Sequence, residues 1–464
     1  MTAAAEEKAP ATCPDWLPSF FLLVVGIVFG VSLVFLTPPF GVPDELAHYL
    51  RAYHCSQGKV YAEKRNDAVG AVLPISLARV YTAIASEPLK DRELHISRQK
   101  LAEVARIPLD RGQTGFSSFA NTALYSPVPY LPAAVAIRIG RLIHLTPLWL
   151  LYAGRVAMLI AYLVVVAGAV YLMPLQKWTM VLLGLMPMSM FLAASLSADT
   201  MTTALAYLAI GLLLHLILKA EKATLGQLLL LVSALVLLAL AKQAYFGVAF
   251  LFLLVPRDKF SSSRQRWLAT AGVIGLTLAA NVAWAVSVRP LYVPIRPCVD
   301  PPGQVHWMLA HPLIYAKDVW YTIADSYRYS CVPGVLGWGT VFLPRSAYTI
   351  YWAALVATAV LDGSRPAPPL TIQTRAFSFC AYAAVLALAT TCVYVTWHAV
   401  GDHYIHGVQA RYFQPVLPLL LLPLRAPARW ASSRFSRFLV PTGAIFISLL
   451  GLVLTWRAMV VHYY

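Results

Sequence analysis

Long apolar runs separated by short polar stretches dominate this sequence. Several extend for about 18 residues or more with few charges, which is enough for a helix to cross a hydrocarbon core about 30 Å thick. Strands that alternate polar and apolar residues, as in membrane barrels, do not occur in the pattern. The pattern predicts an all-α polytopic membrane protein with about eleven spans, which are 16–36, 149–173, 178–197, 200–218, 225–241, 243–255, 267–288, 347–361, 376–397, 412–424 and 438–456.

The stretch 125–142 is also apolar, but its prolines and arginines favour a helix on the membrane surface. Excluding it from the spans, with the N-terminus in the cytoplasm, places the basic short loops on the cytoplasmic side, as the positive-inside rule requires. Those loops are 174–177, 219–224, 256–266, 362–375 and 425–437. Counting 125–142 as a span would place the arginine-rich loop 425–437 outside. We therefore expect a retained first span and a cytoplasmic N-terminus.

Two long segments then face the outside, 37–148 and 289–346. We predict that they belong to a single integral membrane domain, 1–464, and carry interfacial helices, of which 306–329 has the clearest amphipathic pattern. In the second of these loops Cys298 and Cys331 are the natural disulfide pair, which leaves Cys55 free.

Composition supports the membrane assignment and excludes two classes of protein. Of 464 residues, 59% are apolar and 12% charged, whereas about 25% of residues are charged in ordinary soluble domains. A soluble enzyme and a disordered chain are thereby excluded. The net charge of +16 does not indicate a nucleic-acid partner, because no basic helix, zinc-ligand spacing or aromatic-basic stripe accompanies it.

Polar residues cluster directly after the first span. Prolines turn the chain there and present Asp44 and Glu45 at the outer boundary. His48 and Arg51 follow at the fourth and seventh positions after Asp44, so the three share one face if a helix begins here. An N-cap explains Asp44, but it does not explain the histidine and arginine behind it. The pattern therefore favours a functional site.

Two further polar positions lie at predicted outer ends of spans. Asp199 either caps the helix that follows it or takes part in the site. Lys242, followed closely by Tyr245, either extends toward lipid phosphates or binds the phosphate of a lipid carrier. Both alternatives stay open from the sequence.

The last outer turn is the densest in polar groups. His403 and His406 lie three residues apart beside Asp402, a spacing that permits a divalent metal, but the third ligand is unidentified, so no metal ligand and no cofactor is assigned. Arg411, followed by Tyr412, enters the next span, where a charge needs an anionic partner. That partner is either one of the two aspartates above or a phosphate.

A glycine-rich loop, 330–345, surrounds Trp338. It lacks the Gly-Lys-Ser/Thr ending of a phosphate-binding loop, and no strand precedes it. Trp338 is instead expected to line a groove for a sugar ring or an isoprenoid chain.

Several segments occur in a familiar order. They are PPFGVPDELAHYLRAYHCSQGKV, LYSPVPYLPAAVAIRIGRL with Arg155 after it, PMSMFLAASLSADT, KQAYFGVAFLFLLVP, GVLGWGTVFLP and GVQARYFQPVLPLL. Together, from about Leu36 to Leu422, they resemble the bacterial membrane family of domain of unknown function 2142. The one departure is Ala410, where the family motif has glycine.

The resemblance implies membership of the GT-C superfamily of membrane glycosyltransferases, in the bacterial cytoplasmic membrane. It implies a polyprenyl-phosphate-linked sugar as donor and a glycan or lipid acceptor. By that analogy Asp44 and Glu45 are the catalytic residues. The predicted substrate-binding residues are His48, Arg51, Arg155, Asp199, Lys242, Tyr245, Trp338, His403, Arg411 and Tyr412. A polysaccharide or lipid-linked-oligosaccharide transporter and a non-catalytic scaffold for envelope assembly remain the alternatives.

Overall fold

The computed structural model describes residues 14–84, 97–294, 296–362, 369–427 and 434–464. The predicted segments 37–148, 289–346, 362–375 and 425–437 therefore lie partly outside the described residues. The α-helices are α1 Leu17–Leu36, α2 Glu45–Ser56, α3 Ile75–Ile84, α4 Arg98–Ala105, α5 Ala120–Ala123, α6 Leu131–Leu142, α7 Pro147–Leu172, α8 Lys177–Gly184, α9 Pro187–Ala193, α10 Ala198–Leu218, α11 Leu225–Ala241, α12 Ser263–Val288, α13 Pro301–Ala310, α14 Pro312–Ile323, α15 Ser326–Cys331, α16 Arg345–Leu361, α17 Ile372–Trp397, α18 Leu417–Leu421 and α19 Arg434–Tyr463.

Short 3-10 helices and two small sheets complete the described secondary structure. The 3-10 helices are Val128–Tyr130, Gln243–Leu254, Arg257–Lys259, Arg289–Leu291, Ala410–Tyr412, Gln414–Val416 and Leu422–Leu424. The strands are β1 Glu63–Arg65, β2 Ala68–Pro74 and β3 Thr114–Ser118, which form an antiparallel sheet in the order β1-β2-β3, and β4 Val335–Leu336 with β5 Val341–Phe342.

Within the described part of the chain, six helices are long and apolar enough to cross a membrane. They are Leu17–Leu36, Pro147–Leu172, Ala198–Leu218, Ser263–Leu291, Ile372–Trp397 and Ser436–Tyr463. The protein is thus a helical membrane protein, as the sequence predicts. The other predicted spans are also helical, but they are shorter or broken, so the number eleven stays a prediction.

Proline explains where two of these spans break. The segment 178–197 is divided into α8 and α9, and Pro187 is the first residue of α9. The segment 412–424 consists of short 3-10 and α-helical pieces that begin at or next to prolines. Proline lacks the N–H that continues a helix and clashes with the preceding turn, but it fits a helix start. The predicted span 243–255 is instead an unbroken 3-10 helix of 12 residues, although such helices seldom exceed one turn.

Two segments are predicted to lie on the membrane surface, 125–142 and 306–329, and both contain short helices in the structure. The stretch 125–142 contains α6, a helix of 12 residues, which is about 18 Å long and too short to cross a bilayer. The prediction of one amphipathic helix over 306–329 is wrong, because the segment contains α13, α14 and α15. Pro312 begins α14, so the helix before it ends at Ala310.

The described part of the segment 37–148, which the sequence predicts to be the first outer loop, shares its apolar core with the membrane helices. Tyr49 of α2, Leu73 of β2 and Ile137 of α6 are all fully buried in one cluster that extends along α1, α7 and α10. Helix α2 packs on α6, and α6 packs on α7. The described part of this segment therefore packs against one end of the bundle. The predicted disulfide is not formed, because Cys298 and Cys331 are both free thiols.

Candidate functional site

A cavity of about 260 Å³ lies between the segment 37–148 and the ends of several membrane helices. Its polar lining comes from separate elements: Asp44 and His48 at the start of α2, Asn121 of α5, Asp199 at the start of α10, Lys242 after α11, and Arg411 and Tyr412 of a 3-10 helix. The ends of α12 and α17 add Trp284 and Trp397. These are all helix ends that the sequence places on the outer side.

Asp44 directs its carboxylate into the cavity. It precedes α2 with φ of 63°, in the left-handed region, and its side chain makes no capping hydrogen bond. Asn121 Nδ2 donates to Asp44 Oδ1 at 3.0 Å, and Arg411 Nη2 lies 3.8 Å from Asp44 Oδ2. The side chain is 42% exposed. The capping explanation of Asp44 is therefore wrong, and an unusual backbone conformation presents a carboxylate that solvent can reach.

Asp199 holds two cations in place. Lys242 Nζ lies 2.6 Å from Asp199 Oδ1, and Arg411 Nε lies 3.1 Å from Asp199 Oδ2. The cap of α10 is Ser197, which accepts from the Asp199 amide, so the capping role predicted as an alternative for Asp199 is wrong. Lys242 does not extend to the membrane surface either. Its ammonium lies inside, 4.0 Å from the centre of the Tyr412 ring.

Arg411 is buried but incompletely satisfied. Its side chain is 9% exposed and forms the ion pairs with Asp199 and Asp44 that the sequence offered as one alternative. Within the described residues, however, its guanidinium makes no hydrogen bond, and the buried Nε has no aligned acceptor. Burying a donor without an aligned acceptor costs free energy, so the ion pairs with Asp199 and Asp44 leave part of the hydrogen-bonding capacity of Arg411 unused.

His48 forms a neutral part of the wall. Its Nδ1 lies 2.8 Å from Tyr130 Oη, and its ring stacks on Tyr125. The pKa of His48 is lowered to about 3, chiefly because the ring is buried; Asp199 raises the pKa, whereas Arg411 and Lys242 lower it. The imidazole is therefore uncharged at neutral pH. The charged groups of the cavity are two carboxylates and two cations, which balance.

A family model described as "Predicted membrane protein (DUF2142)" matches residues 27–420 of this chain. The match covers most of the chain. The chain belongs to the DUF2142 family. No curated protein and no solved structure matches it. The part of the chain that carries the DUF2142 match includes every polar residue of the cavity named above.

Glu45 and Arg155 lie outside the cavity, which corrects their predicted catalytic and substrate-binding roles. Both side chains are fully buried, and Arg155 Nη2 lies 2.5 Å from Glu45 Oε2. The Glu45 carboxylate also accepts from the amides of Phe40 and Leu196. Arg155 donates further to the carbonyls of Val34, Thr37 and Pro38. With every group engaged, the pair fixes the turn before Asp44 and is closed to substrate.

Four other predicted substrate-binding residues also lie outside the lining: Arg51, Tyr245, Trp338 and His403. Tyr245 donates to the carbonyl of Tyr412, at 2.7 Å, and Arg51 to that of Tyr125, at 2.9 Å. Trp338 donates to a carbonyl of the turn before Asp44, that of Phe40. These three side chains hold backbone segments that line the cavity or lie next to it. None of the three lines the cavity, and direct contact with substrate stays a prediction for them.

The histidine-rich turn is separate from the cavity. His403 is 71% exposed and lies 3.5 Å from Asp318, whereas Asp402 is paired with His398 at 3.0 Å. Across the described ranges, no three His, Cys, Asp or Glu side chains are grouped so as to hold a metal ion. The turn therefore does not converge with Asp44 on a metal site.

The sequence did not single out several lining residues, namely Asn121, Tyr125, Trp284, Tyr292 and Trp397. Tyr125 belongs to the motif LYSPVPY, but nothing in its spacing shows that it stacks on His48. The tryptophans come from the ends of two different helices, where aromatic residues are common in any membrane protein. Only the packing of α12 and α17 against the 3-10 helix Gln243–Leu254 brings these ends to one cavity.

Proposed function

We propose that this DUF2142 protein is a GT-C-type glycosyltransferase. It moves a sugar from a polyprenyl-phosphate donor to a cell-envelope glycan or lipid acceptor, on the outer face of the bacterial cytoplasmic membrane. The observation that carries the proposal is the buried Arg411 guanidinium, which forms ion pairs but no hydrogen bond among the described residues, beside the accessible carboxylate of Asp44. A guanidinium in that state binds a phosphate through paired, charge-assisted hydrogen bonds.

The position of the cavity supports an outer-face reaction. Helix α10 begins with Asp199 in the cavity and ends before Lys219, whereas α12 begins with Arg264 and Arg266 and ends with Trp284 near the cavity. Basic residues thus collect at the helix ends opposite the cavity, and the positive-inside rule assigns those ends to the cytoplasm. The eleven spans and the cytoplasmic N-terminus form part of this proposal.

The side chains of the cavity supply the groups that a sugar transfer needs. Asp44 accepts the proton of the acceptor hydroxyl as its oxygen forms a bond to the anomeric carbon. The bond between that carbon and the phosphate oxygen breaks, and the polyprenyl phosphate leaves with the electron pair. Lys242 and Arg411 stabilise the charge that develops on it. The proton on Asp44 then passes to solvent through its exposed side, and no nucleotide takes part.

Asp199 has a defined place in this scheme. Without donor, it compensates the charges of Lys242 and Arg411, which would be costly to bury unpaired. An incoming phosphate competes with Asp199 for the same donors. Asp199 is therefore a positioning residue that keeps two long side chains aimed at one point.

The alternatives receive less support from the same geometry. A transporter needs polar groups along a path through the bilayer, whereas the cavity charges lie at one end of the bundle. A scaffold needs Asp44 only as a cap, and Asp44 makes no capping hydrogen bond.

Polyprenyl phosphate is expected to co-purify with the wild-type protein and to be lost from the double variant Lys242→Ala/Arg411→Ala. Mass spectrometry of lipid extracted from equal amounts of protein measures this, and we expect at least a tenfold decrease. The matched control is Arg65→Ala/Lys317→Ala, which removes an arginine and a lysine that are exposed on the outer loops. Phospholipid alone in all three samples would contradict the proposal.

A further inference from the structure

Part of the cavity wall is not used by the proposed reaction steps. It is formed by Trp284 and Tyr292, with Asn121 beside Asp44. Given the proposed function, on which this inference rests, we infer that this wall is a subsite for one sugar ring, the residue that is transferred. Trp284 packs against the ring, and Tyr292 and Asn121 bind its hydroxyls.

Tyr292 supplies the first observation. Its side chain lines the cavity, and its hydroxyl oxygen is buried and has no hydrogen-bond partner within the described residues. Its backbone carbonyl accepts from Lys64 Nζ at 3.0 Å, which fixes the residue in place. A buried hydroxyl without a partner is costly, and a ligand hydroxyl satisfies it as donor and acceptor.

Trp284 supplies the second observation. Its indole N–H donates to the carbonyl of Leu124 at 2.9 Å, and Tyr61 stacks on its ring at a centroid distance of 5.6 Å with 11° between the planes. Two contacts thus hold the indole in one orientation at the edge of the cavity. A fixed aromatic plane beside polar groups suits a sugar, which has an apolar ring face and a rim of hydroxyls.

Asn121 places this subsite next to the reacting groups. One amide N–H is used on Asp44 Oδ1, which leaves the other N–H and the amide oxygen for a ligand. The side chain is exposed to the cavity. A sugar hydroxyl bound there lies beside Asp44, where the proposed proton transfer takes place.

The size of the cavity limits what is transferred. Its volume of about 260 Å³ is below the range of roughly 300–1,000 Å³ that is typical for drug-sized ligands. There is room for one ring and a phosphate. The inferred donor is therefore a monosaccharide carrier.

Binding of short soluble donors tests the inference on the full-length protein in detergent. The probes are farnesyl phosphate and a panel of its monosaccharide esters, which include pentoses, hexoses and an N-acetylhexosamine, and native mass spectrometry gives the dissociation constants. We expect at least one ester to bind wild type at least tenfold more tightly than farnesyl phosphate. The ratio of the dissociation constant of farnesyl phosphate to that of the ester measures this advantage. Tyr292→Phe and Trp284→Leu should each reduce the ratio at least threefold and leave farnesyl phosphate binding unchanged.

Tyr327→Phe and Trp320→Leu are the matched controls, since both residues are exposed aromatics of the second outer loop, and they should keep the full advantage. If Trp284→Leu does not fold, Tyr292→Phe decides alone. The sugar subsite would be overturned if the esters bound wild type no better than farnesyl phosphate does. It would also be overturned if Tyr292→Phe kept the full preference for the ester over farnesyl phosphate. If the proposed function itself were wrong, neither farnesyl phosphate nor any ester would bind in a way that depends on Arg411, and this outcome distinguishes the two failures.

Discussion

Asp44→Asn is expected to lower the rate of sugar transfer by about 10²–10⁴-fold, the range that a positioned general base contributes. Asparagine has the same shape but does not accept the proton of the acceptor hydroxyl. It also tolerates the left-handed backbone of this position. Because Asp44 makes no capping hydrogen bond, α2 should keep its stability. The loss should therefore fall on kcat, with lipid phosphate still bound.

The measurement is transfer from a polyprenyl-phosphate sugar to endogenous acceptor in membranes, with the amount of folded protein checked by size-exclusion chromatography. Asp67→Asn is the control, since Asp67 is an exposed carboxylate on the same outer loop. Asp44→Ser should be as inactive as Asp44→Asn. If both variants transferred sugar at the wild-type rate, the enzyme assignment would be wrong and the scaffold would gain support.

Removing one partner of the Glu45–Arg155 pair is expected to have the largest effect on stability. Glu45→Ala leaves Arg155 as a fully buried charge without its carboxylate, and breaking such a pair costs about 3–5 kcal/mol. It also leaves the Phe40 and Leu196 amides without their acceptor. The midpoint of unfolding in detergent, followed by tryptophan fluorescence, should decrease strongly.

Glu63→Ala is the comparison, because Glu63 pairs with Arg65 on the surface, where an ion pair contributes about 0–1 kcal/mol. Its unfolding midpoint should stay close to that of wild type. Glu45→Gln separates the structural role from the catalytic role first predicted for this residue. A Glu45→Gln protein with wild-type stability and no transfer would restore the catalytic assignment.

The membrane helices were largely predictable, because a long apolar segment is stable mainly as a helix inside a bilayer. The first span, predicted as 16–36, is α1, Leu17–Leu36. The breaks were harder to locate. Pro187 was visible in the sequence, but a proline in a membrane helix produces either a kink or a new helix, and the neighbouring contacts decide which.

The charged part of the cavity was predictable for a related reason. A charge at the end of an apolar run is expensive unless it has a partner, and alternating spans bring Asp199, Lys242 and Arg411 to the same side. Glu45 was not separable from Asp44 in this way. Consecutive residues at a helix start point about 100° apart, so one carboxylate enters the cavity while the other enters the core beside Arg155.

The 3-10 helix Gln243–Leu254 has a mechanical consequence for the cavity. Its 12 residues extend about 24 Å at 2.0 Å per residue, whereas an α-helix of that length would extend about 18 Å. Lys242 is tied to Asp199 at one end, and Tyr245 to the Tyr412 carbonyl. The segment therefore places the Lys242 ammonium about 6 Å farther from Leu254 than an α-helix of the same length would.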